Sequence, residues 1–315
     1  MTRDLGPDPP GTAVADHYER WPFPGVVHGS REGVVLVRRL ARWLERRPGA
    51  PMRRVLDAGC GTGHTTVALA RRLPSVEFVG VDVSSAALDA ARAQAAAAGL
   101  DRIRFVRADV RDLPDSLGTF DGVLALGVLH HVPERDAALA HLLTHLVEGG
   151  RMVLWLYGRH GRAAHALNQR LIALLVDGSA TDDARIAVAQ ALLRESGGRF
   201  IEGSGVYTPR GSGPEAVEWL LEHPAWLADQ MFPAYERPVT LEEIFTLFDA
   251  HALEFDHWFG VSADVPRWLE EPELRRRLER LPLRKRLLAI ECLLLRPPYY
   301  LVSGRRPPPR ERGVP

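Results

Sequence analysis

A glycine-rich turn between a strand pattern and a helix pattern constrains this chain most. Arg54-Val55-Leu56 reads as a short buried strand, Gly59 to Gly63 as a loop, and Thr65 to Leu73 as a helix. The alternation continues. Strands are expected at 76–81, 103–106, 121–127 and 151–157, with helices at 84–98 and 135–147. The run Asp121 to Gly127 has the unbroken apolar character of a strand covered on both faces. Strands separated by helices through short links must run parallel, so the expected fold is α/β and doubly wound.

Around this stretch the sequence divides into further segments. Residues 1–28 read as an N-terminal tail with a lid-like segment, and 29–47 as an amphipathic helix opening a sheet domain over 29–158. Residues 159–239 read as a helical insertion shaping substrate access. Residues 240–303 return to the sheet, with a helix at 240–251, strands near 253–259 and 299–302, and a second helical insertion over 261–298. Pro- and charge-rich stretches at 1–15 and 304–315 read as tails, the latter disordered.

Composition removes several function classes. Of 315 residues, 40 are Lys or Arg and 40 Asp or Glu, so no net positive charge argues for nucleic-acid binding. The single Lys, Lys285, lies in a charged run, which sets aside Schiff-base chemistry. The two cysteines, Cys60 and Cys292, form neither a disulfide scaffold nor a cysteine-based metal site. The longest apolar stretch, Leu287 to Leu295, contains Glu291 and is too short to span a bilayer. A cytoplasmic protein, with no membrane or nucleic-acid partner and no metal, is the expectation; oligomeric state is left open.

The turn itself carries chemistry. Asp57-Ala58-Gly59-Cys60-Gly61-Thr62-Gly63 departs from a dinucleotide fingerprint, because His64 stands where the third glycine would be. Asp57 would repel a pyrophosphate and attract an ammonium or sulfonium group. The alternative role for Asp57 is to tie down the loop. Asp82 ends the second strand, where a carboxylate accepts from ribose hydroxyls. Asp109 follows the third strand, placed either for an adenine amino group or as a loop cap.

These residues, with Phe120-Asp121-Gly122-Val123, Leu129-His130-His131-Val132-Pro133 and Glu148-Gly149-Gly150-Arg151, resemble class I S-adenosylmethionine-dependent methyltransferases over roughly residues 30–158. The resemblance implies a seven-stranded sheet whose last strand is antiparallel. It implies S-adenosyl-L-methionine as cofactor, held by Gly59, Gly61, Gly63, Asp82 and Asp109, with further contacts near Leu126 and Gly127. Cys60, Val83 and Val110 adjoin these positions, and Tyr18 is a candidate cover for the cofactor or an anchor for the N-terminus.

Methyl transfer to a hydroxyl or amine benefits from a base. His130 and His131 lie beyond the fourth strand, where such sheets bind ligands; His130, earlier in the loop, is the first choice. Tyr157, Arg159, His160, Tyr207 and Tyr235 are candidate acceptor contacts, Arg159 as a carboxylate clamp; Trp155 reads as core. His141 and His145 read as surface residues, and the run from Arg275 to Arg286 as a solvated helical face. The expected reaction is methylation of a small molecule, an intermediate of specialised metabolism. The alternatives are cyclase or lyase chemistry within the same cofactor, a non-catalytic cofactor-binding scaffold, and a nicotinamide-dependent enzyme.

Overall fold

The computed structural model describes residues 11–24, 31–45, 52–178, 180–206, 208, 210 and 214–308. Its sheet consists of β1 (Arg54–Ala58), β2 (Glu77–Asp82), β3 (Arg104–Arg107), β4 (Phe120–Leu126), β5 (Leu146–Tyr157), β6 (Glu254–Trp258) and β7 (Tyr299–Arg305). The strand order is β3-β2-β1-β4-β5-β7-β6. β1 to β5 pair in parallel, while β7 runs antiparallel to both β5 and β6. This is the seven-stranded arrangement that the sequence implied.

Strand side chains alternate between faces, and the core divides accordingly. Leu56, Val123, Leu154 and Val302 join one buried cluster, with α5 (Arg135–Thr144) and α10 (Leu241–Ala250) packed over it. Their neighbours Val55, Leu124, Val153 and Leu301 join the cluster on the other face. That face is covered by α2 (Arg31–Glu45), α3 (His64–Arg72) and α4 (Ser85–Ala97). Local signals set the helix starts. Ser84 caps α4 by accepting from the Ala87 N–H at 3.0 Å. Thr240 and Glu243 form a reciprocal capping box on α10.

Between β5 and α10 the chain forms α6 (Ala163–Leu175), α7 (Asp182–Ser196), α8 (Pro214–Glu222) and α9 (Pro224–Met231). These helices share their own buried cluster, including Ile186, Leu193, Leu220, Trp226 and Leu227. Trp21 and Phe23 pack against it, so the N-terminal segment docks on the inserted helices. α11 (Pro272–Arg280) buries no side chain and carries Arg275–Glu279 and Arg277–Glu273 pairs, the solvated face expected from its sequence. α12 (Leu283–Ile290) follows it.

The two stretches read as tails contain ordered elements. α1 occupies Gly11–Arg20 and carries the buried His17 and the half-buried Tyr18. β7 continues to Arg305, since Gly304 and Arg305 pair with Phe255 and Glu254 of β6. The fifth strand starts earlier than the apolar pattern suggested, with Leu146 pairing to Phe120. Cys60 and Cys292 are both free thiols. Among the described residues, no helix is long and apolar enough to cross a membrane.

Phe248 of α10 is fully buried and lies over Gly304, where an added Cβ would approach its ring to 2.9 Å. Phe248→Ala should lower stability by about 3–5 kcal/mol, read as a shifted midpoint in urea at unchanged slope; a shift under about 1 kcal/mol would show that this end of the sheet does not depend on α10.

Candidate active site

The strand order reverses between β1 and β4, and a crevice opens beyond the carboxyl ends of strands at such a point. A cavity of about 240 Å³ lies there. Asp57, Gly59, Cys60 and Gly61 line it from β1 and its turn; Leu126, Gly127 and Val128 from β4 and the chain after it. Asp82, Val83, Asp109 and Val110 line it from the ends of β2 and β3, and Tyr18 from α1. Gly63 is the exception among the expected cofactor residues. It packs the turn onto α4, where a Cβ would meet Ala91 at 2.7 Å.

Five consecutive N–H groups of the turn are already bonded. Gly59 and Cys60 donate to the Val81 carbonyl at 2.8 and 2.9 Å, and Gly61 donates to Asp82 Oδ2 at 2.8 Å. Thr62 donates to the Phe23 carbonyl at 3.2 Å and Gly63 to the Cys60 carbonyl at 3.0 Å. Only glycine fits at Gly61: its φ is +52°, and a Cβ would lie 2.2 Å from the Phe23 oxygen. The segment Trp21–Pro24 therefore lies directly over the turn. It is fixed on its far side by Trp226 Nε1, which donates to the Pro24 carbonyl at 2.6 Å.

Three carboxylates face this cavity in different electrostatic states. Asp57 is buried, and that burial pushes its carboxyl up to about 6; a 2.6 Å bond from Thr66 Oγ1 opposes the shift and the charge of Asp82 adds to it. Burial also raises Asp82, against the donors Ser84 N and Gly61 N. For Asp109 burial works upward too, but Arg111 overrides it. The guanidinium grips both carboxylate oxygens, with Nη2–Oδ2 at 2.7 Å, and the Asp109 carboxyl falls below its ordinary range. Asp109 thus caps its own loop while facing the cavity.

The two histidines separate. His130 is buried away from the cavity, its Nδ1 accepting from the Tyr157 N–H at 3.3 Å. His131 lines the cavity. Its Nδ1–H donates to the Tyr235 carbonyl at 2.7 Å, which leaves Nε2 with the lone pair of the neutral ring. Burial lowers the pKa of His131, with the Glu236 charge and the Tyr235 carbonyl opposing. His131, not His130, is placed to meet a ligand.

The expected acceptor contacts spread apart. Tyr157 and Tyr235 are buried beside the histidines without lining the cavity. Arg159 is exposed and paired with Glu243, with Nη2–Oε1 at 2.6 Å, and His160 is exposed on the following turn. Neither lines the cavity, so Arg159 is not placed as a clamp there. Tyr207 lies outside the described residues. Trp155, read as core, lines the cavity instead and packs against Gly127, where a Cβ would come within 3.1 Å of its ring. His145, read as a surface residue, is buried and donates to the Gly118 carbonyl at 2.7 Å; His141 Nε2 accepts from Leu113 N at 2.7 Å. Both hold the loop between β3 and β4.

Asp229 was not anticipated. It is buried in α9, where six successive side chains from Trp226 to Met231 are buried. Tyr18 donates to its Oδ1 at 3.0 Å, and Tyr157 and Gln230 donate to its Oδ2 at 3.3 and 3.0 Å. Its Oδ1 stands 3.8 Å from His131 Nε2. The sequence signal was present: one carboxylate, followed by Gln230, inside a stretch from Pro224 to Phe232 that is apolar elsewhere.

Residues 55–150 match a family described as a methyltransferase domain. The chain is 35% identical over 190 residues to an uncharacterised protein of Synechococcus sp., covering 58% of this chain and 45% of that protein. It is 36% identical over 120 residues to trans-aconitate 2-methyltransferase of Deinococcus radiodurans, covering 38% and 44% of the two chains. It is also 36% identical over 120 residues to 27-O-demethylrifamycin SV methyltransferase of Amycolatopsis mediterranei, covering 38% and 43%. The chain thus spans under half the length of these relatives. In fold it resembles PKMT2 from Rickettsia typhi in complex with AdoHcy, with a TM-score of 0.63 at 14% identity, covering 89% of this chain and 53% of that one.

Asp57 binds a proton more tightly in the folded protein than when unfolded, so it favours the fold at low pH and loses that contribution as pH rises from about 4 through about 6. Asp57→Asn, which still accepts from Thr66, should therefore be more stable than the natural protein at pH 7, by up to about 3 kcal/mol, with the gap closing toward pH 4. Thermal unfolding across that range checks it; a gap that does not change with pH would mean Asp57 titrates normally.

Proposed function

Residues 55–150 match a methyltransferase domain, and we propose that the whole chain binds S-adenosylmethionine and transfers the cofactor's methyl group to a small organic acceptor. The carrying observation is the state of the glycine turn. Its N–H groups are consumed by protein acceptors, and buried carboxylates stand beside it. A phosphate at such a turn would find no free donors and two negative charges. A cationic nucleoside finds attraction from Asp57 and acceptor oxygens on Asp82.

The residues present fit that cofactor. Asp82 accepts from the Gly61, Val83 and Ser84 N–H groups and keeps acceptor capacity for a ribose hydroxyl. Asp109 and Val110 close the end by β3, and Leu126, Gly127 and Trp155 supply apolar wall. When bound, the cofactor supplies a methyl group already activated on a sulfonium. The protein's own work is then to align an acceptor and keep water out. Tyr18, Phe23 and Trp226 close the cavity from the N-terminal segment and α9, and His131 offers Nε2 toward the space they enclose.

Two relatives are named for the methylation of small molecules, an organic acid and a rifamycin, which favours a small acceptor over a macromolecule. The mostly apolar wall formed by Val14, Val128, Val132, Trp155 and Trp226 supports the same reading.

Calorimetry should show S-adenosylmethionine binding and no binding of NAD. Affinity should fall as pH drops below about 6, as Asp57 gains its proton; the neutral thioether S-adenosylhomocysteine should show a shallower dependence. Asp57→Asn should weaken S-adenosylmethionine on the order of tenfold more than S-adenosylhomocysteine. Mass spectrometry after incubation with candidate acceptors should find the methyl group on a small molecule; transfer only to protein or tRNA would contradict the acceptor assignment.

A further inference from the structure

Resting on the methyl-transfer reading above, we propose that Asp229, brought in by α9, is the buried counter-charge that stabilises His131 as a general base, and that the acceptor atom is a hydroxyl oxygen.

Burial raises the pKa of the Asp229 carboxyl, and the charge of His17, the Tyr18 bond, the charge of Arg162 and the Gln230 bond oppose it in favour of the charged form. Three neutral donors, Tyr18 Oη, Tyr157 Oη and Gln230 Nε2, converge on its two oxygens. Tyr157 is free to donate, because its oxygen accepts from Gln230 Nε2 at 2.7 Å. Among the described residues, the only side chain able to carry positive charge within 4 Å of the carboxylate is His131. A buried carboxylate is costly unless a partner charge or hydrogen bonds offset it. Here hydrogen bonds and the more distant charges of His17 and Arg162 sustain it while the adjacent imidazole is neutral, and an imidazolium would add a cation within 4 Å.

The imidazole is oriented for that role. The Tyr235 carbonyl takes Nδ1–H and so holds the proton off Nε2. Nε2 lies 3.8 Å from Asp229 Oδ1, too far for a direct bond. A hydroxyl near the two groups can approach Nε2 with its proton.

The other charged groups around the pair act in a graded way. His17 from α1 is buried and lies in the field of both Asp229 and His131. His130 is held neutral by burial, with the charges of His131, Arg162 and Arg135 in the same direction. Arg162 is buried, pairs with Glu236 at 3.0 Å and stacks over the Tyr157 ring, and its charge also favours ionised Asp229 and neutral His131. Neither His17 nor Arg162 lines the cavity. His131 is the member of this cluster that can touch an acceptor.

Proton bookkeeping then selects the acceptor atom. A hydroxyl oxygen uses a lone pair to form the new bond to the methyl carbon. The carbon–sulfur bond breaks with its electron pair retained by sulfur, and the hydroxyl proton passes to His131 Nε2. The imidazolium so formed faces the Asp229 carboxylate. An amine acceptor arrives as an ammonium whose lone pair is blocked, so its proton must leave before attack and not as the new bond forms. A carbon nucleophile that already carries its negative charge gives no role to a base at Nε2.

The test reads His131 directly by long-range ¹H–¹⁵N NMR on the full-length chain labelled in histidine, without cofactor. At pH 7 the expected state is the neutral Nδ1–H tautomer; an Nε2–H tautomer would overturn the proposal without any variant. In Asp229→Asn the His131 titration midpoint should fall by a unit or more. With cofactor and a hydroxyl acceptor, kcat should drop about 100-fold and KM for S-adenosylmethionine should change less than twofold. An unchanged midpoint, or methyl transfer to nitrogen or carbon, would overturn the proposal while leaving methyl transfer intact. Failure to bind S-adenosylmethionine in calorimetry would instead overturn the underlying reading.

Discussion

The buried charge of Asp57 at the first turn of the sheet is the constraint on which the site depends. Desolvation opposes that charge, and a single hydroxyl from Thr66 offsets part of the opposition. A group that the fold tolerates at a cost, in a cavity where the strand order reverses, is a candidate ligand contact, and the proposed function assigns it the attraction of a cation. The neighbouring N–H groups face inward to Val81, Asp82 and Phe23, so the turn holds its shape through protein bonds and leaves only negative charge for the ligand.

The rest of the structure is arranged to keep that cavity dry. The N-terminal segment crosses the glycine turn because Gly61 has no side chain, and its Trp21 and Phe23 anchor into the core of the inserted helices. Glu19 accepts from the Ser85 N–H at the start of α4, a third tether. One short stretch thus binds the sheet domain to the insertion and supplies Tyr18 to both the cavity and Asp229.

Much of the sheet was legible because its strands carry strong local patterns and helices such as α4 and α10 have recognisable starts. Val55 and Leu56, or Val153 and Leu154, feed opposite cores, as alternation requires. The glycine turn that lines the cavity was legible because its residues are contiguous in sequence. The cluster around His131 and Asp229 was not, since it joins α1, the turn after β4, β5 and α9, separated by up to 211 residues between Tyr18 and Asp229. Position in the loop favoured His130, but backbone geometry turns His131 to the cavity. Arg159 had the right chemistry for a clamp, yet Glu243, in the capping box of α10, holds it elsewhere. Trp155 sat in an apolar strand and reads as core until Gly127 lets its ring reach the cavity wall.

Crystals soaked in parallel with S-adenosylhomocysteine and with NAD test the central claim most directly. The account expects the thioether nucleoside over the glycine turn, its ribose on Asp82 and its sulfur toward the His131 side, with the diphosphate soak leaving the turn free. Density for a diphosphate seated on that turn, with its N–H groups rotated outward to meet it, would contradict the account.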